Sequence, residues 1–190
     1  MEQVVLLNES GEATGTADKA TVHHRETPLH LAFSCYVFDD RGRFLLTQRA
    51  HHKLTWPGVW TNTCCGHPAP GEDLPGAITR RLREELGLTA STPAPALPGF
   101  RYRAVMGNGV VENEICPVFA AFTEHDAQPN PDEVAETRWV DWAEFSERVL
   151  HGGAEISPWC FEQVEQLVKL GPDPTSWPVG AEQDLPAAAR

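Results

Sequence analysis

With 190 residues, the chain is long enough for one domain with a substantial core and short for two. Hydrophobic residues at 41% and charged ones at 22% exclude a disordered chain. A net charge of -12 excludes a general nucleic-acid binder, but not a small anion held by a few converging cations. No apolar run is long enough to span a bilayer, and the N-terminus lacks a signal-peptide pattern. The five cysteines form neither an even disulfide set nor a C-x-x-C pair. The expected home is a reducing cytoplasm, with no membrane partner.

Residues 4–7 form a short apolar run expected as an edge strand. Residues 31–38 and 43–49 are β-prone and flank Asp39-Asp40-Arg41-Gly42, which predicts a hairpin with Gly in its turn. Residues 56–70 read mostly as loop with a short extended piece. The strongest helix follows: Asp73 caps it, Pro75 suits its first turn, Leu74, Ile78, Leu82 and Leu86 mark its apolar stripe, and Gly87 ends it. The Pro- and Ala-rich residues 90–98 read as loop. Residues 100–106 and 115–123 read as strands, with Gly107-Asn108-Gly109 turning the chain between them. A further strand is expected at 139–141, then helices at 142–150 and 158–170. The last twenty residues carry Pro172, Pro174, Pro178 and Pro186 and are expected to trail. The division is a single domain over 1–170 and a flexible tail over 171–190. Mixed strands among a few helices indicate an α/β sandwich.

The most specific pattern runs over residues 66–88. It fits the loop-helix signature of the Nudix superfamily at every fixed position but one: Arg81 stands where hydrolytic members carry Glu. Arg81 and Glu85 lie four apart on one helical face, with Glu84 beside them. Carboxylates there can hold a hard cation that bridges diphosphate oxygens. Exchanging one of them for a cation removes a metal ligand and adds a diphosphate partner, so the helix reads as one that holds a diphosphate rather than cleaves it.

Three further groups stand outside that signature. His23, His30, His67, Glu112 and Glu114 make a plausible ligand set, suited to zinc or manganese over magnesium. Glu112 and Glu114 alternate on a strand, so their side chains can face the same way. Cys65, followed by Gly66 and His67, is a candidate proton donor or nucleophile. Its neighbour Cys64 points the opposite way in an extended segment, and Cys35, Cys116 and Cys160 read as buried filler. Lys19, Arg49, Lys53 and Arg81 are candidate phosphate-binding cations.

Several stretches together resemble one family. They are T-G-T-x-x-K ending at Lys19, the seven-residue step from His23 to His30, L-H-L-A-F-S at 29–34, and W-P-G-V-W-T-N-T-C-C-G-H-P at 56–68. F-R-Y-R-A at 100–104, V-E-N-E-I-C-P-V-F at 111–119 and S-P-W at 157–159 complete the set. In order and spacing they are similar to the type 1 isopentenyl-diphosphate isomerases, over roughly residues 4–170. The resemblance implies a Nudix-type α/β/α sandwich with a mixed sheet and a 1,3-allylic proton shift between isopentenyl and dimethylallyl diphosphate. It implies Cys65 and Glu114 as the catalytic pair, Tyr102 beside that Glu, and Trp159 facing the reacting carbons. A Mn2+ or Zn2+ ion on His23, His30, His67, Glu112 and Glu114 follows from it, as does a diphosphate-bound Mg2+ held by Glu85 and the Cys65 main-chain carbonyl. Lys19, Arg49, Lys53 and Arg81 match the family's diphosphate-binding cations.

The chemistry suits these residue types. Moving a double bond by one carbon adds a proton at one end and removes one nearby, which an acid and a base on opposite faces can do. The expected partner is a small diphosphate, for a monomer or weak homodimer. The rival readings are a Nudix pyrophosphohydrolase of a nucleotide or prenyl diphosphate, and a zinc-stabilised binding module.

Overall fold

The structure, a computed structural model, describes residues 2–190. In chain order it forms β1 (Gln3–Leu7), β2 (Ala13–Asp18), β3 (His30–Leu31), β4 (Phe33–Phe38), β5 (Arg43–Arg49), β6 (Trp60–Thr61) and β7 (Cys64–Gly66). Then come α1 (Leu74–Leu86), β8 (Ala94–Leu97), β9 (Arg101–Val105), β10 (Val111–Ile115), β11 (Val118–Phe122), β12 (Val134–Asp141), α2 (Trp142–Leu150) and α3 (Pro158–Leu167).

The strands pair into two mixed sheets. One has the order β2-β1-β3-β10-β9; the other runs β12-β5-β4-β11-β8, with β6 on β5 and β7 on β4. A parallel seam joins them, with β3 beside β10 and β4 beside β11. The Ala32 amide donates to the Ile115 carbonyl and the Ser34 amide to the Pro117 carbonyl, each at 3.0 Å. Those bonds carry the seam across Cys116-Pro117, where the chain changes sheet. Proline has no N–H for a ladder, so the single strand expected over 115–123 is two.

The predicted hairpin closes on Asp39, whose Oδ1 accepts from the amides of Arg41 at 3.0 Å and Arg43 at 2.7 Å. Gly42 takes φ +73° in the turn. Phe38 pairs with Phe44, and beyond that point the strands part to admit residues 60–66. Trp60 and Thr61 pair with β5, and Cys64, Cys65 and Gly66 with β4. Thr63 Oγ1 accepts from the Val37 amide at 2.9 Å and donates to the Leu45 carbonyl at 2.6 Å, stitching both sides of the wedge. The extended piece expected within 56–70 is this wedge, and it carries Cys65 into the sheet.

Side chains alternate along β4, so Cys35 and Val37 pack toward α1 while Tyr36 and Phe38 pack toward α2 and α3. The result is the expected α/β/α sandwich. Helix α1 buries Leu74, Ile78, Leu82 and Leu86. The Asp73 side chain accepts from the Gly76 amide at 2.8 Å, and Gly87 takes the left-handed C-cap conformation. Ser157 caps α3 through the Cys160 amide at 3.3 Å, which sets Trp159 in the first turn. The α-helix ends at Leu167 and a 3-10 turn finishes the expected span at Leu170.

Three expectations are corrected. Residues 4–7 are not an edge strand, since β1 lies between β2 and β3; the short polar β2 takes the edge. Residues 90–98 are not all loop, because β8 pairs with β11 there despite its prolines. Residues 171–190 do not trail. Trp177 packs edge-on against Phe38 and Trp142, Leu185 joins the core over α1, and the Ala188 amide donates to the Gly11 carbonyl at 2.9 Å. Two apolar anchors hold the proline-rich stretch down along the domain.

Candidate active site

A cavity of about 620 Å³ opens between the two sheets. Lys19, His23, Arg49, Lys53, Cys65, His67, Arg81, Tyr102, Glu112, Glu114 and Trp159 all line it. His30 lies fully buried behind it. Glu85 borders an adjoining space of about 30 Å³, shared with Cys65, Lys53 and Glu133. Residues far apart in sequence therefore meet at one place.

Three imidazoles converge on one oxygen. His67 Nε2 lies 3.2 Å from Glu114 Oε1, His30 Nε2 3.3 Å and His23 Nε2 3.7 Å. The register explains this, because β10 runs parallel to β3 with Glu114 opposite His30. His30 Nδ1 donates to the Pro28 carbonyl at 2.9 Å, which leaves a lone pair on Nε2 when the ring is neutral. That lone pair faces both the carboxylate and His67 Nε2, the latter at 3.2 Å. His23 Nε2 is buried without a hydrogen-bond partner among the described residues. Lone pairs aimed at one point, with a carboxylate closing the group, fit a metal cation.

The electrostatics favour a neutral ring at His67. Burial opposes charge on His67 and brings its pKa down to about 4, despite Glu114 nearby. Burial also disfavours a charged His30, but the hydrogen bond and charge of Glu114 outweigh it and raise that ring. For Glu114, burial is overcome by the three imidazoles gathered round its Oε1, which hold the carboxyl well below its usual range.

Glu112, the fifth member of the expected ligand set, is not among the four residues whose ligand atoms lie within 4.8 Å of one another. It sits two residues along β10 from Glu114, roughly 7 Å at strand rise, and its carboxyl meets Tyr102 instead. Tyr102, directly across the ladder from Glu114, has its hydroxyl 2.9 Å from Glu114 Oε2 and 3.0 Å from Glu112 Oε2. The one hydroxyl hydrogen is shared between the two carboxyls. Burial and the Glu114 charge raise Glu112, so of the two carboxyls it takes up a proton more readily.

Cys65 is half-buried, with its sulfur 3.1 Å from Asn62 Oδ1 and 3.4 Å from Ser34 Oγ. Burial pushes its thiol up to about 11, so it is protonated at neutral pH. Cys64 is fully buried toward α1, as alternation along β7 requires. The Trp159 ring lies 5.7 Å from Tyr102 and 5.7 Å from Trp56, centre to centre. Trp56 reaches that place from φ +49°, a left-handed conformation costly for a bulky residue.

The cations are not free. Arg81 grips Glu85 Oε1 through Nε at 2.9 Å and Nη2 at 2.6 Å, and reaches Glu84 at 3.0 Å. Lys53 pairs with Glu133, which also lies 3.3 Å from Arg81. Lys19 pairs with Glu2 at 2.6 Å, and Arg49 donates to the Thr55 carbonyl at 2.8 Å. Glu133 and Asn62 escaped the sequence reading. Glu133 sits in an unremarkable acidic turn, but Asn62 stands inside the quoted W-T-N-T-C-C stretch and was findable there.

The NUDIX domain family model matches residues 28–167. An isopentenyl-diphosphate Delta-isomerase from Saccharopolyspora erythraea is 69% identical over 189 residues, covering 100% of this chain and 97% of the relative. One from Rhizobium rhizogenes is 52% identical, covering 100% and 91%. Among solved structures, DR0079 from Deinococcus radiodurans aligns with a TM-score of 0.68 at 17% identity, over 87% of this chain and 99% of that one. The MutT protein from Methanosarcina mazei Go1 gives 0.62 at 23% identity, over 76% and 96%. At these identities the structural likeness is one of fold.

Proposed function

The chain belongs to the Nudix domain family and, within it, to the isopentenyl-diphosphate Delta-isomerases, and from that premise we propose a reading of its site. The enzyme interconverts isopentenyl diphosphate and dimethylallyl diphosphate. The observation that carries the residue assignment is one cavity lined by a protonated thiol, a carboxylate, an indole face and four cations.

Lys19, Arg49, Lys53 and Arg81 receive the diphosphate, which displaces carboxylates such as Glu133 from them. The five-carbon chain then lies between Cys65 and Glu114. Cys65 holds a proton and Glu114 does not, and Tyr102 can pass Glu114 a proton from Glu112. Adding a proton to the alkene creates a tertiary carbocation. Trp159 stabilises it through its π-face by about 2 kcal/mol when desolvated. The Arg49 guanidinium lies 5.8 Å from the centre of that ring, so the indole already accommodates a cation. Burial of Trp159 and Tyr102 keeps water from capturing the intermediate.

His23, His30, His67 and Glu114 would hold Mn2+ or Zn2+, and Glu85 with the Cys65 carbonyl would hold Mg2+ on the diphosphate. When bound, these ions supply fixed positive charge that orients Glu114 and neutralises the diphosphate. The five free cysteines support a reducing, cytoplasmic setting.

The test is incubation of metal-loaded protein with isopentenyl diphosphate. Dimethylallyl diphosphate should form with no phosphate or diphosphate released. Release without isomerisation would favour the pyrophosphohydrolase. Arg81, already neutralising Glu84 and Glu85, argues against that outcome.

A further inference from the structure

Asn62 is fully buried in the wedge between β4 and β5, two residues before the strand that bears Cys65. Its Nδ2 donates to the carbonyls of Cys35 at 3.2 Å and Cys64 at 2.9 Å. Carbonyls only accept, so these two bonds fix which end of the amide is nitrogen. Its Oδ1 must then be the acceptor for everything it meets. Three donors reach it: the Cys65 thiol at 3.1 Å, the Trp159 indole N–H at 3.1 Å and the Thr61 hydroxyl at 2.9 Å.

One oxygen thus ties together the thiol on the wedge and the indole at the start of α3, which are 94 positions apart in sequence. A second support comes from behind. Gln163, also fully buried, donates from Nε2 to Ser34 Oγ at 2.9 Å, and Ser34 Oγ lies 3.4 Å from the Cys65 sulfur. Tyr36 locks Gln163 by donating to its Oε1 at 3.0 Å. The sulfur is therefore held from two sides while its third side faces the cavity. A turn about the Cβ–Sγ bond swings the hydrogen from Asn62 to the cavity without moving the sulfur.

We propose that Asn62 is a positioning residue that sets the Cys65 thiol and the Trp159 ring against each other, so that the proton donor and the cation-stabilising face address the same carbons. The proposal rests on the assignment of Cys65 and Trp159 given above. Asn62 is absent from the main cavity wall and, although it borders the small adjoining space, makes no hydrogen bond to a diphosphate-binding cation, so its loss acts on the chemical step more than on binding. Misplacing a reacting group by about 1 Å costs about a hundredfold in rate.

The experiment compares metal-loaded wild type with Asn62→Leu and the smaller, water-admitting Asn62→Ser on isopentenyl diphosphate. It also records the Trp159 indole N–H resonance, identified by its loss in Trp159→Phe. Expected are a fall in kcat of about a hundredfold, a KM within about threefold, and an upfield shift of the indole resonance in both variants. A folded variant with wild-type kcat, a loss carried by KM alone, or an unmoved indole resonance would overturn the proposal. If Asn62→Leu does not fold, Asn62→Ser decides. A wild type that fails to isomerise would instead sink the functional reading, and the indole resonance would still judge the positioning.

Discussion

The Cys65 thiol is built to keep its hydrogen. Burial favours its neutral form, and the Asn62 oxygen can accept a hydrogen bond from a thiol but has none to offer a thiolate. Alkylation requires the thiolate, so the iodoacetamide rate at Cys65 should keep rising with pH toward about 11. A plateau near pH 8 would show an activated thiolate instead. Cys65→Ser should lower kcat by about a thousandfold, in the range for loss of general acid–base catalysis, with the melting temperature little changed. Glu114→Gln should remove comparable activity and also lower the content of bound transition metal, measured by elemental analysis of purified protein. Full metal retention in that variant would break the link between Glu114 and the three histidines.

At the scale of elements, what was legible in the sequence was what local physics decides. The cap at Asp73, the stripe from Leu74 to Leu86 and the stop at Gly87 all lie within one helix, and each appears as read. Asp73→Ala should cost about 1 kcal/mol, as loss of an N-cap does, in a denaturant titration. The wedge of residues 60–66 was only half legible, because its partners β4 and β5 lie up to about thirty residues away and no local pattern names them. His23, His30, His67, Glu112 and Glu114 were legible as a plausible ligand set from their chemistry, but the parallel register of β3 and β10 makes Glu114 meet the histidines, and spacing alone does not encode it. The tail was misread for a related reason. Four prolines signal an extended chain, but Trp177 and Leu185 decide whether that chain lies against something. Trp177→Ala should therefore destabilise the whole domain by about 3 kcal/mol, as truncation of a core aromatic does, whereas a free tail would leave stability unchanged.

Across the whole molecule, two sheets meet at a parallel seam, and the site sits where they diverge. One sheet supplies His30, Tyr102, Glu112 and Glu114; the other supplies Arg49 and Cys65. This arrangement makes stability depend on pH through its buried titrating groups, with His67 and Glu114 favouring neutral pH and the raised His30 opposing them. The unfolded chain protonates His67 below about pH 6.5, while the folded one resists until about 4. Stability of the metal-free protein contributed by His67 is thus present above that window and lost as pH falls through it. Glu114, held low in the folded state, adds a loss in the same direction at still lower pH. Thermal melts of chelator-treated protein between pH 7 and 4 should show this decline, and bound metal should raise the melting temperature most near neutral pH. Proton exchange at carbon is the step that the whole site serves. Its most direct test is proton NMR of isopentenyl diphosphate incubated with the metal-loaded enzyme in deuterated water. Dimethylallyl diphosphate carrying deuterium in a methyl group is the predicted result. Product formed without deuterium, or substrate left unchanged with both metals present, would contradict it.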